Sequence, residues 1–143
     1  MIQQPEQSPG FLLWHVTLRW QRDVTATLKP LGLTHVQFVL LATAWWLNTH
    51  DQQPSQVSLA TEAGTDVKMA SQVIRTLEHK GLITRETRAA DTRARRLVVT
   101  DAGATLAPRA IEAVEAVDRA LLAPLSTKVS RDFTAALRQL RQS

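Results

Sequence analysis

The sequence predicts a mainly α-helical domain with one small β-hairpin wing, arranged as a winged helix-turn-helix between terminal helices, and three observations carry the prediction. Two helical segments, 55–63 and 67–80, are joined by Gly64-Thr65-Asp66, a turn of the length and composition of a helix-turn-helix connection. Beyond Gly81 the pattern changes to two short strands around a charged tip. A hairpin of that size is marginal alone in water, so the helices around it, including a long alanine-rich one from Thr100, must support it.

In chain order, residues 1–7 are polar, and Ser8-Pro9 then presents a cap followed by proline at the first helical position. Phe11, Trp14, His15, Leu18, Val24 and Leu28 recur at helical spacing until Lys29-Pro30 and Leu31-Gly32 stop the run. Thr34-His35-Val36-Gln37 forms a capping box, with Leu33 and Phe38 placed as a hydrophobic staple. The helix that follows runs to about Asn48; its middle, 38–47, is apolar nearly all round, which makes it the buried central helix. After the polar loop 50–54, Ser55 caps a short helix through Ala63, and Asp66 caps the next, which ends at Lys80-Gly81. Leu82 to Thr87 reads as a strand, Arg88 to Arg95 as a basic loop without large apolar residues, and Arg96 to Thr100 as the returning strand. Thr100-Asp101 opens a helix to about Ala123 with Pro108 inside it; Pro124 ends that element, and Ser130 caps a last helix to about Gln142.

A chain of 143 residues that is 44% hydrophobic and 21% charged suits one globular domain. The absence of cysteine excludes disulfides, thiolate nucleophiles and zinc ribbons, and fits a cytoplasmic protein. The N-terminus lacks the basic and apolar regions of a signal peptide, and the longest apolar run falls well short of the ~20 residues of a membrane span, so no membrane association is expected. The net charge of +4 is unevenly placed: residues 68–96 hold eight Lys and Arg against three carboxylates, a net of +5, and the rest of the chain is slightly acidic. That concentration points to nucleic acid as a partner.

On the helix after Asp66, the apolar residues Val67, Ala70, Val73, Ile74 and Leu77 form one stripe, while Lys68, Ser71, Gln72 and Arg75 form another. The second stripe lacks the carboxylates a solvated helix face commonly carries, and its residue types can donate to guanine, adenine or phosphate. Arg88, Arg93, Arg95 and Arg96 on or beside the hairpin tip can reach a phosphate backbone or a narrow minor groove, and Asp91 can pair with Arg93 or Arg96 to hold the tip in shape.

The run Leu77-Glu78-His79-Lys80-Gly81-Leu82-Ile83-Thr84-Arg85, then Asp91-Thr92-Arg93-Ala94-Arg95-Arg96, then Val99-Thr100-Asp101-Ala102-Gly103, resembles the L-E-x-x-G-L-[IV]-x-R, D-x-R-x-x-R and L-T-x-x-G elements of the MarR family of winged helix-turn-helix transcriptional regulators. Leu33-Thr34-His35-Val36-Gln37-Phe38 and Leu59-Ala60 match that family's upstream elements. The resemblance, over residues 10–142, implies a homodimer whose terminal helices interlock, a recognition helix in the major groove and a wing in the minor groove of a pseudo-palindromic double-stranded operator. It implies a DNA-binding core at about 33–103 and dimerisation helices at about 9–30 and 104–142 of one domain, 1–143. Carried over by position, Lys68, Ser71, Gln72 and Arg75 face the bases, and Asp91, Arg93, Arg95 and Arg96 belong to the wing. Gln72 stands where many members have Arg, and Val99 replaces the usual Leu. Phe11, Leu12, Trp14 and Val16 at one end, with Leu125, Phe133, Leu137 and Leu140 at the other, are more apolar surface than a small winged domain needs, which independently suits a second copy.

The resemblance also implies a small aromatic or phenolic effector, for which Trp14, His15, Arg19, Trp45 and Trp46 are candidate pocket residues; the same aromatics suit an ordinary core. No cofactor or metal is expected: His15, His35, His50 and His79 have no metal-binding spacing, and neither a nucleophile elbow nor a glycine-rich phosphate loop occurs, so the chain reads as a non-enzyme. A repressor relieved by an effector is the function that the resemblance implies. The alternative is a winged protein-interaction module without effector response, which would not require the clustered wing arginines.

Overall fold

A computed structural model describes residues 2–88 and 91–143, with Arg88 and residues 91–94 described in backbone only. Helix α1 (Pro9–Leu28) begins where Ser8 Oγ accepts from the Phe11 amide at 3.3 Å, with Pro9 at the first position. A 3-10 turn, Lys29–Leu31, ends at Gly32 with φ 72°, a left-handed conformation that glycine adopts without strain. Helix α2 (His35–Thr49) then leaves at 74° to the preceding segment. Its capping box is formed: the Gln37 amide donates to Thr34 Oγ1 and the Thr34 amide donates to Gln37 Oε1, both at 3.2 Å.

Helix α2 is central, packing on α1 and on the elements that follow, and it buries Leu40, Leu41, Ala44 and Leu47. Burial all round, as its composition suggests, holds on that side only. Trp46 is 50% exposed and stacks on His50, with ring centroids 4.1 Å apart. An aromatic face can be covered by a neighbouring ring instead of a core, which hydropathy alone does not distinguish.

Ser55 caps α3 (Gln56–Ala63), Gly64 at φ 74° turns the chain, and the Asp66 carboxylate accepts from the Met69 amide at 3.0 Å to open α4 (Val67–His79). The hairpin differs from expectation. Strand β1 (Ile83–Arg88) and strand β2 (Asp91–Val99) continue through the segment read as a basic loop, with Ile83 opposite Val99 and Thr87 opposite Arg95. The register then shifts, so that Arg88 opposes Asp91. Pairing is a backbone property, so a hairpin extends without the apolar side chains that the sequence criterion required.

Helix α5 (Asp101–Leu122) contains Pro108 and packs on α1 and α2. Helix α6 (Thr127–Arg141) starts one turn earlier than expected: Ser126 Oγ accepts from the Val129 amide at 3.2 Å. Ser130 lies inside the helix, where its carbonyl accepts from Thr134 Oγ1. Both serines precede apolar residues three positions on, so local sequence did not separate the two caps. The core joins Leu28, Leu40, Leu41, Leu59, Ile74, Leu77, Ile83 and Leu97. Helix α6 buries none of its residues. Among the described residues, no single helix is long and apolar enough to cross a membrane.

Candidate nucleic-acid interface

Helix α4 buries Ala70, Ile74 and Leu77 against the core. At 3.6 residues per turn this fixes the opposite face, and Lys68, Gln72 and Arg75 are all exposed there. His79 extends the row by one further turn and is also exposed. The sequence reading stopped at Arg75, although the helical spacing that found the row reaches His79 as well. Ser71 is half-buried on the flank, where its Oγ accepts from Arg75 Nη2 at 3.5 Å. No carboxylate stands in the row, so it can approach phosphate or base edges without like-charge repulsion.

Two cations of the basic segment have structural work instead. Lys80 Nζ donates to Gln37 Oε1 at 2.8 Å and to the Gly32 carbonyl at 2.6 Å, tying the end of α4 to the α1–α2 turn. Arg85 donates through Nε to Glu78 Oε1 and through Nη2 to Gln56 Oε1, each at 2.8 Å, which joins β1 to α4 and α3. On the hairpin, Arg95 is exposed and Arg96 half-buried, and strand alternation sends them to opposite faces. The side chains of Arg88, Asp91 and Arg93 lie outside the described residues, and so does the pairing expected of Asp91.

The wing is aimed by its base. Asn48, at the end of α2, accepts from the Val99 amide through Oδ1 at 2.8 Å and donates to the Leu97 carbonyl through Nδ2 at 3.3 Å. The Leu97 amide donates to the Pro54 carbonyl at 2.8 Å. One side chain and one loop carbonyl thus occupy the open edge of β2, where a third strand would otherwise pair. Nothing in the sequence pattern singled out Asn48.

The five residues considered for an effector pocket do not assemble within one protomer. Trp45 lines a cleft of about 420 Å³ between α2, β2 and α5, whereas Trp46 faces a different hollow that includes Arg141. Trp14 and Arg19 are exposed on α1, and His15 ring nitrogen Nδ1 lies 3.0 Å from the Phe11 carbonyl. Helix α1 instead meets a cavity of about 350 Å³ through Leu13, Val16, Thr17 and Trp20, closed by Leu121, Leu122, Phe133 and Leu137 of α5 and α6. At its edge Trp20 Nε1 donates to Asp118 Oδ1 at 2.7 Å, and the His35 ring sits edge-on to Trp20 at 5.1 Å. Burial pushes the His35 pKa below its ordinary value, with Asp118 pulling in the opposite direction. Among the described residues, no group of three or more His, Cys, Asp or Glu is placed to hold a metal ion.

The model of the MarR family matches residues 33–94. The HTH-type transcriptional regulator YdcH of Bacillus subtilis is 40% identical over 95% of this chain and 91% of its own length. The chain belongs to the MarR family. It is a MarR family transcriptional regulator, and its winged-helix fold is the family's. The HTH-type transcriptional repressor Rv2887 of Mycobacterium tuberculosis is 33% identical over 92% of this chain and 91% of its own. Rv2887 has been solved with salicylic acid, at 32% identity and TM-score 0.73, covering 93% of this chain and 96% of that one. It has also been solved with DNA, at 30% identity and TM-score 0.72, covering 93% and 97%.

The MarR elements acquire physical content here. Thr100 Oγ1 accepts from the Gly103 amide at 3.1 Å and donates to the Gly81 carbonyl at 2.6 Å, so it caps α5 while fastening it to the start of β1. A Cβ at Gly103 would run into the Leu82 carbonyl oxygen and Val99 Cγ1. The T-x-x-G spacing of this MarR chain is therefore a cap followed by a close backbone approach.

Proposed function

We propose that this MarR regulator is a cytoplasmic homodimeric repressor that binds a pseudo-palindromic DNA operator and is released from it by a small aromatic effector. The observation that carries the DNA half is the exposed, carboxylate-free row Lys68, Gln72 and Arg75 on a helix held rigidly by its opposite face. With α4 in the major groove, Gln72 suits adenine, and Lys68 and Arg75 suit guanine or phosphate. Ser71 contributes from the flank, and Arg88, Asp91, Arg93, Arg95 and Arg96 supply the wing that reaches the adjacent minor groove. The DNA complex of Rv2887 supports this reading.

The dimer rests on the terminal helices. Phe11, Leu12, Trp14 and Val16 of α1 and Val129, Phe133, Leu137 and Leu140 of α6 are exposed together. Apolar faces of this extent are ordinarily covered, and a second copy offers the same two helices in exchange. Two copies also set two recognition helices about one turn of DNA apart. The effector half is supported by the salicylic acid complex of Rv2887. Trp14, His15 and Arg19 lie on the helix that a second copy would cover, so an effector held there, or beside Trp45 and Trp46, would act on the spacing of the dimer.

Selection of duplexes from a random pool tests the proposal. Enrichment of a pseudo-palindrome with half-sites about one helical turn apart, bound with an affinity that falls steeply with salt, is the expected result. Failure to enrich any sequence contradicts it. Salicylic acid and related aromatic acids are expected to quench tryptophan fluorescence and weaken the selected complex; unchanged DNA affinity across the panel contradicts the effector half.

A further inference from the structure

We infer that Met69 reads the 5-methyl group of a thymine next to the base pair that Gln72 contacts. The inference rests on the DNA-binding reading above and extends it to a residue outside the polar row. Met69 stands in the first turn of α4 and is 49% exposed. Its amide is fixed by the Asp66 carboxylate at 3.0 Å, so the first turn does not fray. Met69, Gln72 and Thr76 follow i, i+3, i+7 spacing, and all three are exposed. A second ridge thus runs beside Lys68, Gln72, Arg75 and His79 and shares Gln72 with it.

The Thr76 hydroxyl donates to the Gln72 carbonyl at 3.2 Å, which leaves the Gln72 amide group free of that neighbour. A thioether has no hydrogen to donate and accepts weakly, so among Lys68, Met69 and Gln72 it is the one side chain without a polar role at a base edge. The major-groove edges of the four bases carry one apolar group, the thymine methyl. Residues at the start of a recognition helix are those that reach base edges, and methionine has the length and rotational freedom to meet a methyl there. Cations of the neighbouring row, Lys68 in the same turn and Arg75 about two turns on, hold the backbone close enough for an apolar contact to be dehydrated.

Replacing thymine by uracil deletes that methyl and nothing else. In duplexes selected by the wild-type protein, each thymine of one half-site is changed to uracil in turn, and Kd is measured for wild type, Met69→Ala and Met69→Leu. One position per half-site is expected to weaken the wild-type complex about fourfold, the value of burying one methyl-sized group. Met69→Ala should bind the thymine and uracil duplexes equally, and Met69→Leu should keep a preference for thymine. A wild type indifferent to every uracil, or a Met69→Ala protein that keeps the full discrimination, overturns the inference and leaves the DNA-binding reading intact. A wild type that selects no sequence overturns both.

Discussion

Trp20 and Asp118, 98 residues apart, are joined by a 2.7 Å hydrogen bond from the indole nitrogen to the carboxylate, and the bond fastens α1 to α5 beside the start of α2. His35, edge-on to Trp20, is the titratable group of this junction whose affinity for protons is lowered by burial, against the pull of Asp118. The unfolded chain therefore binds a proton on His35 more readily than the folded one. Stability from this site is complete above about pH 6.5 and is lost as the pH falls below that value toward the lowered one. Thermal unfolding should show Tm dropping across that window, and His35→Phe should flatten the drop. Asp118→Asn, which removes the opposing charge, should steepen it.

The cations of the basic segment should separate by assay. Arg85→Ala breaks two part-buried charge-assisted bonds and should cost about 1–3 kcal/mol of stability by denaturant unfolding. The salt dependence of DNA binding should be unchanged in that variant. Arg95→Ala should do the reverse: unaltered stability, weaker binding to all duplexes alike, and a shallower dependence of affinity on salt.

The corner between the wing and α5 should be intolerant of small changes. Gly103→Ala places a methyl against backbone and should lower Tm by several degrees, as expected for overpacking of about 1–3 kcal/mol. Thr100→Val removes the cap and the bond to Gly81 and should cost a similar amount. Thr100→Ser should retain most of the stability.

Association should fail when the exposed face of α6 is made polar. Leu140→Asp replaces a residue that is 69% exposed near the end of α6, so circular dichroism should stay near wild type. Sedimentation should then report a monomer, and affinity for the selected duplex should collapse. A dimer of unchanged stability would place the interface elsewhere.

Helix starts were legible wherever a side chain satisfies its own helix, as at Ser8, Thr34, Ser55, Asp66 and Thr100, because capping is local chemistry. The exposed row of α4 followed from periodicity in the same way. The extent of the hairpin was not legible, since its outer half is held by backbone pairing among polar residues. Nor were the structural roles of Lys80 and Arg85, or that of Asn48 on the strand edge, because their partners are distant in sequence. The aromatic residues proposed as one pocket were chosen by type. The division of Trp45 and Trp46 between separate hollows depends on which face of the helix the tertiary contacts select.

If the outward row of α4 reads bases, replacing Gln72 must change which base pairs are preferred. Affinities of wild type and Gln72→Ala are compared on the selected duplex and on single-base-pair variants across one half-site. Gln72→Ala is expected to lose ~1–3 kcal/mol on the selected duplex, with discrimination relaxed at one base pair per half-site and kept at the others. Equal affinity for the selected duplex, or a uniform loss with every preference retained, would contradict it.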